Sequence, residues 1–256
     1  MPLLEINKVT HSFAGLCAVS DCNIAVEPHE LIGVIGPNGA GKTTVFNLIT
    51  GVYRASEGSI KLEGKELVGL TPHRITSLGI ARTFQNIRLF RELSVLDNVR
   101  IAHYGQIAYT PAEALLHIGR FHTEEKRITR QALDLLSIFK LDESANEKAK
   151  NLPYGLQRRL EIARALATKP TLLLLDEPAA GMNPNEIIQL MDFIRWIRQE
   201  FSVTIILIEH QMRLVMGICE RLVVLDFGKT IAAGLPAEIQ ANPKVMEAYL
   251  GVEVAP

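Results

Sequence analysis

Gly36-Pro37-Asn38-Gly39-Ala40-Gly41-Lys42-Thr43 is a complete phosphate-binding loop of the form G-x-x-x-x-G-K-[ST]. Leu31-Ile32-Gly33-Val34-Ile35 ahead of it reads as a buried strand, and Thr44-Val45-Phe46-Asn47-Leu48-Ile49 behind it reads as a helix. In that context backbone N–H groups at the loop and the helix start converge on phosphate oxygens. The segment predicts a nucleoside triphosphate site formed by Gly36, Asn38, Gly39, Ala40, Gly41 and Thr44. Lys42 is expected on the terminal phosphates and the Thr43 hydroxyl on Mg²⁺. A chance glycine-rich turn would not be framed by a strand and a helix.

A second stretch adds the chemistry. Thr171-Leu172-Leu173-Leu174-Leu175 runs into Asp176-Glu177-Pro178. Consecutive leucines before an acid fit a strand buried on both faces of a parallel sheet. Its C-terminal end would lie beside the phosphate loop, where open α/β sheets bind ligands. Asp176 is then expected to hold Mg²⁺ through a water, and Glu177 to be the general base for the attacking water. Taken alone, the pair would read equally well as acids at a solvated strand end.

Between these two stretches lies Leu152-Pro153-Tyr154-Gly155-Leu156-Gln157-Arg158-Arg159-Leu160-Glu161-Ile162-Ala163-Arg164-Ala165-Leu166. It resembles the signature loop and helix of ABC-type ATPases, written L-S-G-G-Q before a basic helix. Further motifs follow the family order. Phe13 stands where the family stacks an aromatic ring on adenine, with Ala18 beside it. Gln85 in Arg82-Thr83-Phe84-Gln85 matches the Q-loop, Gly181-Met182-Asn183 the D-loop, and His210 after Glu209 the switch histidine. The resemblance implies catalytic roles for Gln85 and His210, a metal contact by Gln85, and ATP contacts in trans from Gly155 and Asn183. Singly, each has a plainer reading: Phe13 as a core aromatic, Gln85 as a solvated loop residue, His210 as a structural histidine. Asn183 can also cap a helix starting at Pro184, with Glu186 completing a capping box. Ile187, Leu190, Met191, Ile194 and Ile197 then recur at core-packing spacing.

The family's fold is expected: α/β, with a RecA-like parallel P-loop NTPase core, an antiparallel β subdomain and an inserted α-helical subdomain. The whole of 1–256 would be one ABC ATPase domain, with core and β subdomain in 1–93 and 169–256 and the helical subdomain in 94–168. Leu3–Phe13, Asn23–Val26 and Ser59–Glu63 read as strands of the antiparallel sheet. Ile128, Ala132, Leu135, Leu136 and Phe139 share one helix face after an expected cap at Thr123. Tyr104 to His122 is compatible with a helix or a loop, and Pro243 to Gly251 reads as a short helix.

Composition narrows the class. The 256 residues carry 27 Lys and Arg against 28 Asp and Glu, a balance that gives no support to a nucleic-acid partner. Apolar content of 48 % fits a globular protein. Cys17, Cys22 and Cys219 show no C-x-x-C spacing, so no zinc site or disulfide framework is indicated, and a reducing cytosol is expected. There is no signal-peptide pattern and no apolar run of bilayer-spanning length. Asp226-Phe227-Gly228 spells a kinase metal motif, but it sits between apolar Leu222–Leu225 and Lys229-Thr230 and reads as a hairpin turn. Asn7-Lys8-Val9-Thr10 lacks the acid of a guanine-reading motif, so ATP is expected over GTP.

Three departures mark the signature. Pro153 replaces its serine, Tyr154 a glycine, and Leu156 a glutamine. Proline removes both a hydroxyl and an N–H as phosphate donors. The Pro-Tyr-Gly form, Arg82–Phe90, Glu177–Gly181 and Glu209-His210-Gln211-Met212 together most resemble the G-type ATPase of high-affinity branched-chain amino acid importers, where Asp is usual at Gln211. That resemblance implies a second ABC ATPase subunit (a homologue or a copy), two membrane permease subunits, and a periplasmic binding protein acting indirectly. Placement would be cytoplasmic, peripheral on the inner face of the cell membrane. Alternatives are the ATPase of lipopolysaccharide export or urea import, or a non-transport ABC ATPase.

Overall fold

The computed structural model describes residues 1–250. In chain order it runs β1 (Leu4–Phe13), β2 (Leu16–Val26), β3 (Leu31–Ile35), α1 (Lys42–Ile49), β4 (Glu57–Leu62), β5 (Lys65–Glu66), α2 (Pro72–Ser77) and β6 (Ile80–Arg82). Then come α3 (Val95–His103), α4 (Pro111–Leu116), α5 (Phe121–Ile138) and α6 (Tyr154–Leu166). The chain closes with β7 (Leu172–Asp176), α7 (Pro184–Glu200), β8 (Thr204–Ile208), α8 (Met212–Ile218), β9 (Arg221–Asp226), β10 (Lys229–Gly234), α9 (Pro236–Gln240) and α10 (Pro243–Leu250). Gly251 of the expected last helix lies outside the described residues.

Two compact units emerge. The first joins Met1–Gln85 to the chain from Thr171 onward, and the second is Asn86–Pro170. The helical insertion expected at 94–168 falls inside the second. In the first unit one sheet has the order β10-β9-β3-β8-β7-β6, and a second has β2-β1-β4-β5. Strands β9, β3, β8, β7 and β6 run parallel, and β10 pairs antiparallel to β9. Every residue of β3, β7 and β8 is buried, which is why these segments read as unbroken apolar runs rather than alternating ones. The smaller sheet is antiparallel throughout, and its inward residues Leu4, Ile6, Ile24, Ile60 and Leu62 join one hydrophobic cluster with Val34, Phe46 and Leu174 of the parallel layer.

Phe227 and Gly228, both at positive φ (43° and 78°), turn β9 into β10. Asp226-Phe227-Gly228 is therefore hairpin chemistry, as its neighbours implied. Asn183 caps α7 by accepting from the N–H groups of Asn185 (3.0 Å) and Glu186 (3.1 Å), while Glu186 accepts from the Asn183 N–H (2.8 Å). Ile187, Leu190, Ile194 and Ile197 are buried beneath it, and Met191 is half-buried.

In the second unit α3, α5 and α6 pack on one another. Ile128, Ala132, Leu135 and Leu136 form the buried face of α5, and Phe139 is buried just past its end. The cap expected at Thr123 is corrected: α5 begins at Phe121, and Thr123 lies inside its first turn. Phe121 stacks on His117 (ring centroids 4.6 Å apart) and meets Tyr109 edge-on at 5.4 Å, so aromatic packing starts the helix where no side-chain cap does. The stretch from Tyr104 to His122 holds a 3₁₀ turn and α4, whose capping box joins Thr110 to Glu113.

Candidate functional site

The phosphate loop joins β3 to α1. Gly41 sits at φ 95°, where a Cβ would come 2.5 Å from the Ala18 carbonyl oxygen of β2. Gly36, at φ 150°, has the Leu225 carbonyl where its Cβ would be. Both positions need glycine for close backbone approach. No side chain caps α1 and its first turn holds no acid, so its leading N–H groups are donors available to an anion. The Lys42 ammonium donates to the carbonyls of Gly36 (2.7 Å) and Pro37 (2.8 Å). Burial pushes its pKa below the ordinary lysine value, against the opposing pull of Glu177 and Asp176. An anionic ligand would offset the cost of that desolvation by pairing with the charge. Thr43 is exposed and Thr44 half-buried at the start of the helix.

The register of the parallel strands brings the acids to this end. Asp176 of β7 lies opposite Ile208 of β8, and Val34 of β3 pairs with Ile208 on the other side. Glu177 follows with φ 45°, held there by its N–H donating to the Ile208 carbonyl at 2.9 Å. A non-glycine residue in the left-handed region directly after a strand is the kind of local strain that active sites hold. Its carboxylate accepts from Gln85 Nε2 at 2.7 Å and lies 3.6 Å from His210 Nδ1. The sequence-predicted Glu177, Gln85 and His210 therefore converge on one oxygen, Oε2. Asp176 accepts instead from Arg82 Nη2 at 2.7 Å.

Phe13 is 40 % exposed, too open for a core aromatic. It stands edge-on to His11 (4.6 Å) and Tyr53 (5.0 Å), which stack on each other at 5.4 Å. Ala18 is half-buried beside the phosphate loop through its carbonyl. In the second unit Pro153 holds the N-cap of α6, and Gly155 in its first turn is exposed, with open space where a Cβ would project. Asn183 is exposed, but its side-chain oxygen is committed to the α7 cap.

Two residues at the site owe their place there to the fold. Arg82 was part of the motif around Gln85, yet its guanidinium is buried against Asp176. Glu209 is fully buried: it accepts from the Ala179 N–H at 2.7 Å, and from those of His210 (3.1 Å) and Gln211 (3.3 Å). It thus ties the loop bearing His210 to the segment leading into Gly181-Met182-Asn183. Burial raises its pKa above the ordinary 4.5, and those three N–H groups oppose the rise. An acid closing an apolar strand is the available hint, but the sequence does not say whether it turns inward.

The donors around the loop (the Thr43 hydroxyl, the Gln85 amide and the Asp176 carboxylate) all offer oxygen, which suits a hard divalent cation. Among the described residues no group of three or more His, Cys, Asp or Glu side chains forms a metal cage. Mg²⁺ is usually held by one or two carboxylates together with substrate phosphate oxygens.

A parallel sheet with a glycine loop, an uncapped helix start and a strand-end acid pair defines a P-loop NTPase. The chain belongs to the ABC transporter family, whose sequence profile matches residues 19–180, and it is an ABC-type ATPase. A second profile, described as branched-chain amino acid ATP-binding cassette transporter, matches residues 229–255. The chain is 45 % identical over 250 residues, 98 % of each chain, to the high-affinity branched-chain amino acid transport ATP-binding protein BraF of Pseudomonas aeruginosa. LivG of Escherichia coli, of the same description, is likewise 45 % identical with 98 % of each chain covered. A lipopolysaccharide export system ATP-binding protein of Acidithiobacillus ferridurans is 35 % identical, with 97 % of each covered. Among solved structures, a nucleotide-free ATP-binding cassette from an ABC transporter superposes with TM-score 0.84 at 30 % identity, covering 98 % of this chain and all of that one. The ADP conformation of such a cassette gives the same TM-score, identity and coverage. No helix among the described residues is long and apolar enough to cross a membrane.

Proposed function

We propose that this ATPase powers import of branched-chain amino acids as a peripheral subunit on the cytoplasmic face of the membrane. The observation that carries the reading is 45 % identity across 98 % of relatives named for that transport, reinforced by the C-terminal profile match at 229–255. The lower identity to the lipopolysaccharide-export relative favours it further. Adenine stacks on Phe13, and the N–H groups of the loop and of α1 hold the phosphates with Lys42. Thr43, Asp176 and Gln85 would hold Mg²⁺, which when bound neutralises phosphate charge. Glu177 takes the proton of the attacking water, with Gln85 and His210 orienting its carboxylate. A second cassette, a homologue or a copy, contributes its Gly155 and Asn183 positions in trans. Permease subunits dock near Gln85 to Val95 and, with a periplasmic binding protein, select the substrate.

The test is uptake of radiolabelled leucine, isoleucine and valine in cells lacking the gene and any redundant importer. Uptake is expected to fall to background and to return with the parent gene but not with Glu177→Gln. Undiminished uptake overturns the substrate assignment and leaves the transporter ATPase.

A further inference from the structure

Arg82 ends β6, a three-residue strand paired in parallel with β7. Its guanidinium spans two elements of the nucleotide site. Nη2 donates to Asp176 Oδ2 at 2.7 Å, and Nη1 donates to Asn47 Oδ1 of α1 at 2.7 Å, with Thr50 Oγ1 at 3.5 Å. The two charged side chains are 6 % and 5 % exposed. The guanidinium carbon lies 5.4 Å from the Phe46 ring centroid and 4.9 Å from that of Phe84. Aromatic faces above a planar cation, with a carboxylate and an amide at its tips, fix its orientation.

We propose that Arg82 is a positioning residue for the metal-binding carboxylate: it fastens Asp176 Oδ2 to the phosphate-loop helix and presents Oδ1 to the divalent ion. Among the described residues Arg82 makes the hydrogen bond to the Asp176 carboxylate, and it does so through Oδ2. A carboxylate at a strand end could otherwise rotate, and its charge would be buried unpaired. Partners behind a metal ligand orient it and tune its affinity. The inference rests on the reading of Asp176 as an Mg²⁺ contact.

The test is binding of a fluorescent ATP analogue to the purified chain over a range of Mg²⁺ concentrations, without turnover. Arg82→Lys keeps the charge but cannot reach both Asp176 and Asn47, so the half-saturating Mg²⁺ concentration is expected to rise about tenfold. Metal-free affinity stays within about twofold, because the phosphate donors are untouched. Asn47→Ala, which loosens the guanidinium without removing it, moves the Mg²⁺ requirement the same way by a smaller factor, and it carries the test if Arg82→Lys does not fold. In an Asp176→Asn background, Arg82→Lys adds no further shift. An unchanged Mg²⁺ requirement in a folded Arg82→Lys, or in Asn47→Ala where that variant carries the test, overturns the clamp. So does an undiminished further shift in the double variant. A parent-like Mg²⁺ profile in Asp176→Asn is a different result, and it overturns the metal role of Asp176 itself.

Discussion

Glu209→Ala would cut the tie between the loop bearing His210 and the segment that runs from Glu177 to Asn183. The carboxylate accepts three backbone N–H groups, and the shortest bond, from Ala179, is buried. A buried donor left without a partner costs about 1–3 kcal/mol, and the two partly exposed donors regain water at smaller cost. Removing a desolvated carboxyl offsets some of this, which leaves a net loss of about 2–3 kcal/mol. At roughly 2–4 °C per kcal/mol for a chain of this size, Tm should fall by roughly 4–12 °C at neutral pH. Nucleotide affinity should hold within about threefold, because Glu209 touches no phosphate donor, while turnover falls with the placement of His210. Glu209→Gln keeps the shape and one acceptor and should be intermediate. Its pH dependence has a fixed sign. The folded pKa of Glu209 is raised above the ordinary 4.5, so its stabilising contribution is complete below that value and declines as pH rises through the folded one. The parent's advantage over Glu209→Gln should therefore be largest in acid and shrink toward neutrality. Thermal melts of the three proteins across pH decide the matter. A Glu209→Ala midpoint within about 2 °C of the parent would refute the reasoning.

Glu177→Gln should lower ATP hydrolysis by about 10²–10⁴-fold while nucleotide affinity changes little, since the amide keeps an oxygen for the Gln85 donor but cannot take a proton. Phosphate release alongside nucleotide titration checks it, and a parent-like rate would remove Glu177 as the base. Lys42→Met should abolish tight nucleotide binding. Because the folded pKa of Lys42 is lowered from 10.5, the parent should gain stability relative to Lys42→Met as pH rises through the lowered value, and chemical denaturation without nucleotide measures that gain. A parent that loses ground to the variant over that range would contradict the burial of this ammonium.

Much of the candidate site could be read from the chain because it is local. The phosphate loop places strand, glycines, lysine and helix within consecutive residues, so the backbone alone arranges its donors. Leucines ending in Asp176-Glu177 could be recognised for the same reason: a strand buried on both faces reads as an unbroken apolar run. The Asn183 cap was equally visible, since a capping box is closed within a single turn. By contrast, the sequence points to a cap at Thr123, whereas α5 starts at Phe121, which gains its packing from His117 and Tyr109 rather than from a cap. Arg82 and Glu209 could not be assigned either. Arg82 meets Asp176 across 94 positions, and Glu209 meets Ala179 across 30. Sequence determined which groups are candidates for phosphate chemistry, because that candidacy is set by local backbone geometry and residue type. Tertiary structure decided which buried charges face one another, because strand order and register alone bring distant side chains into a space without water, where each charge or donor must find a partner.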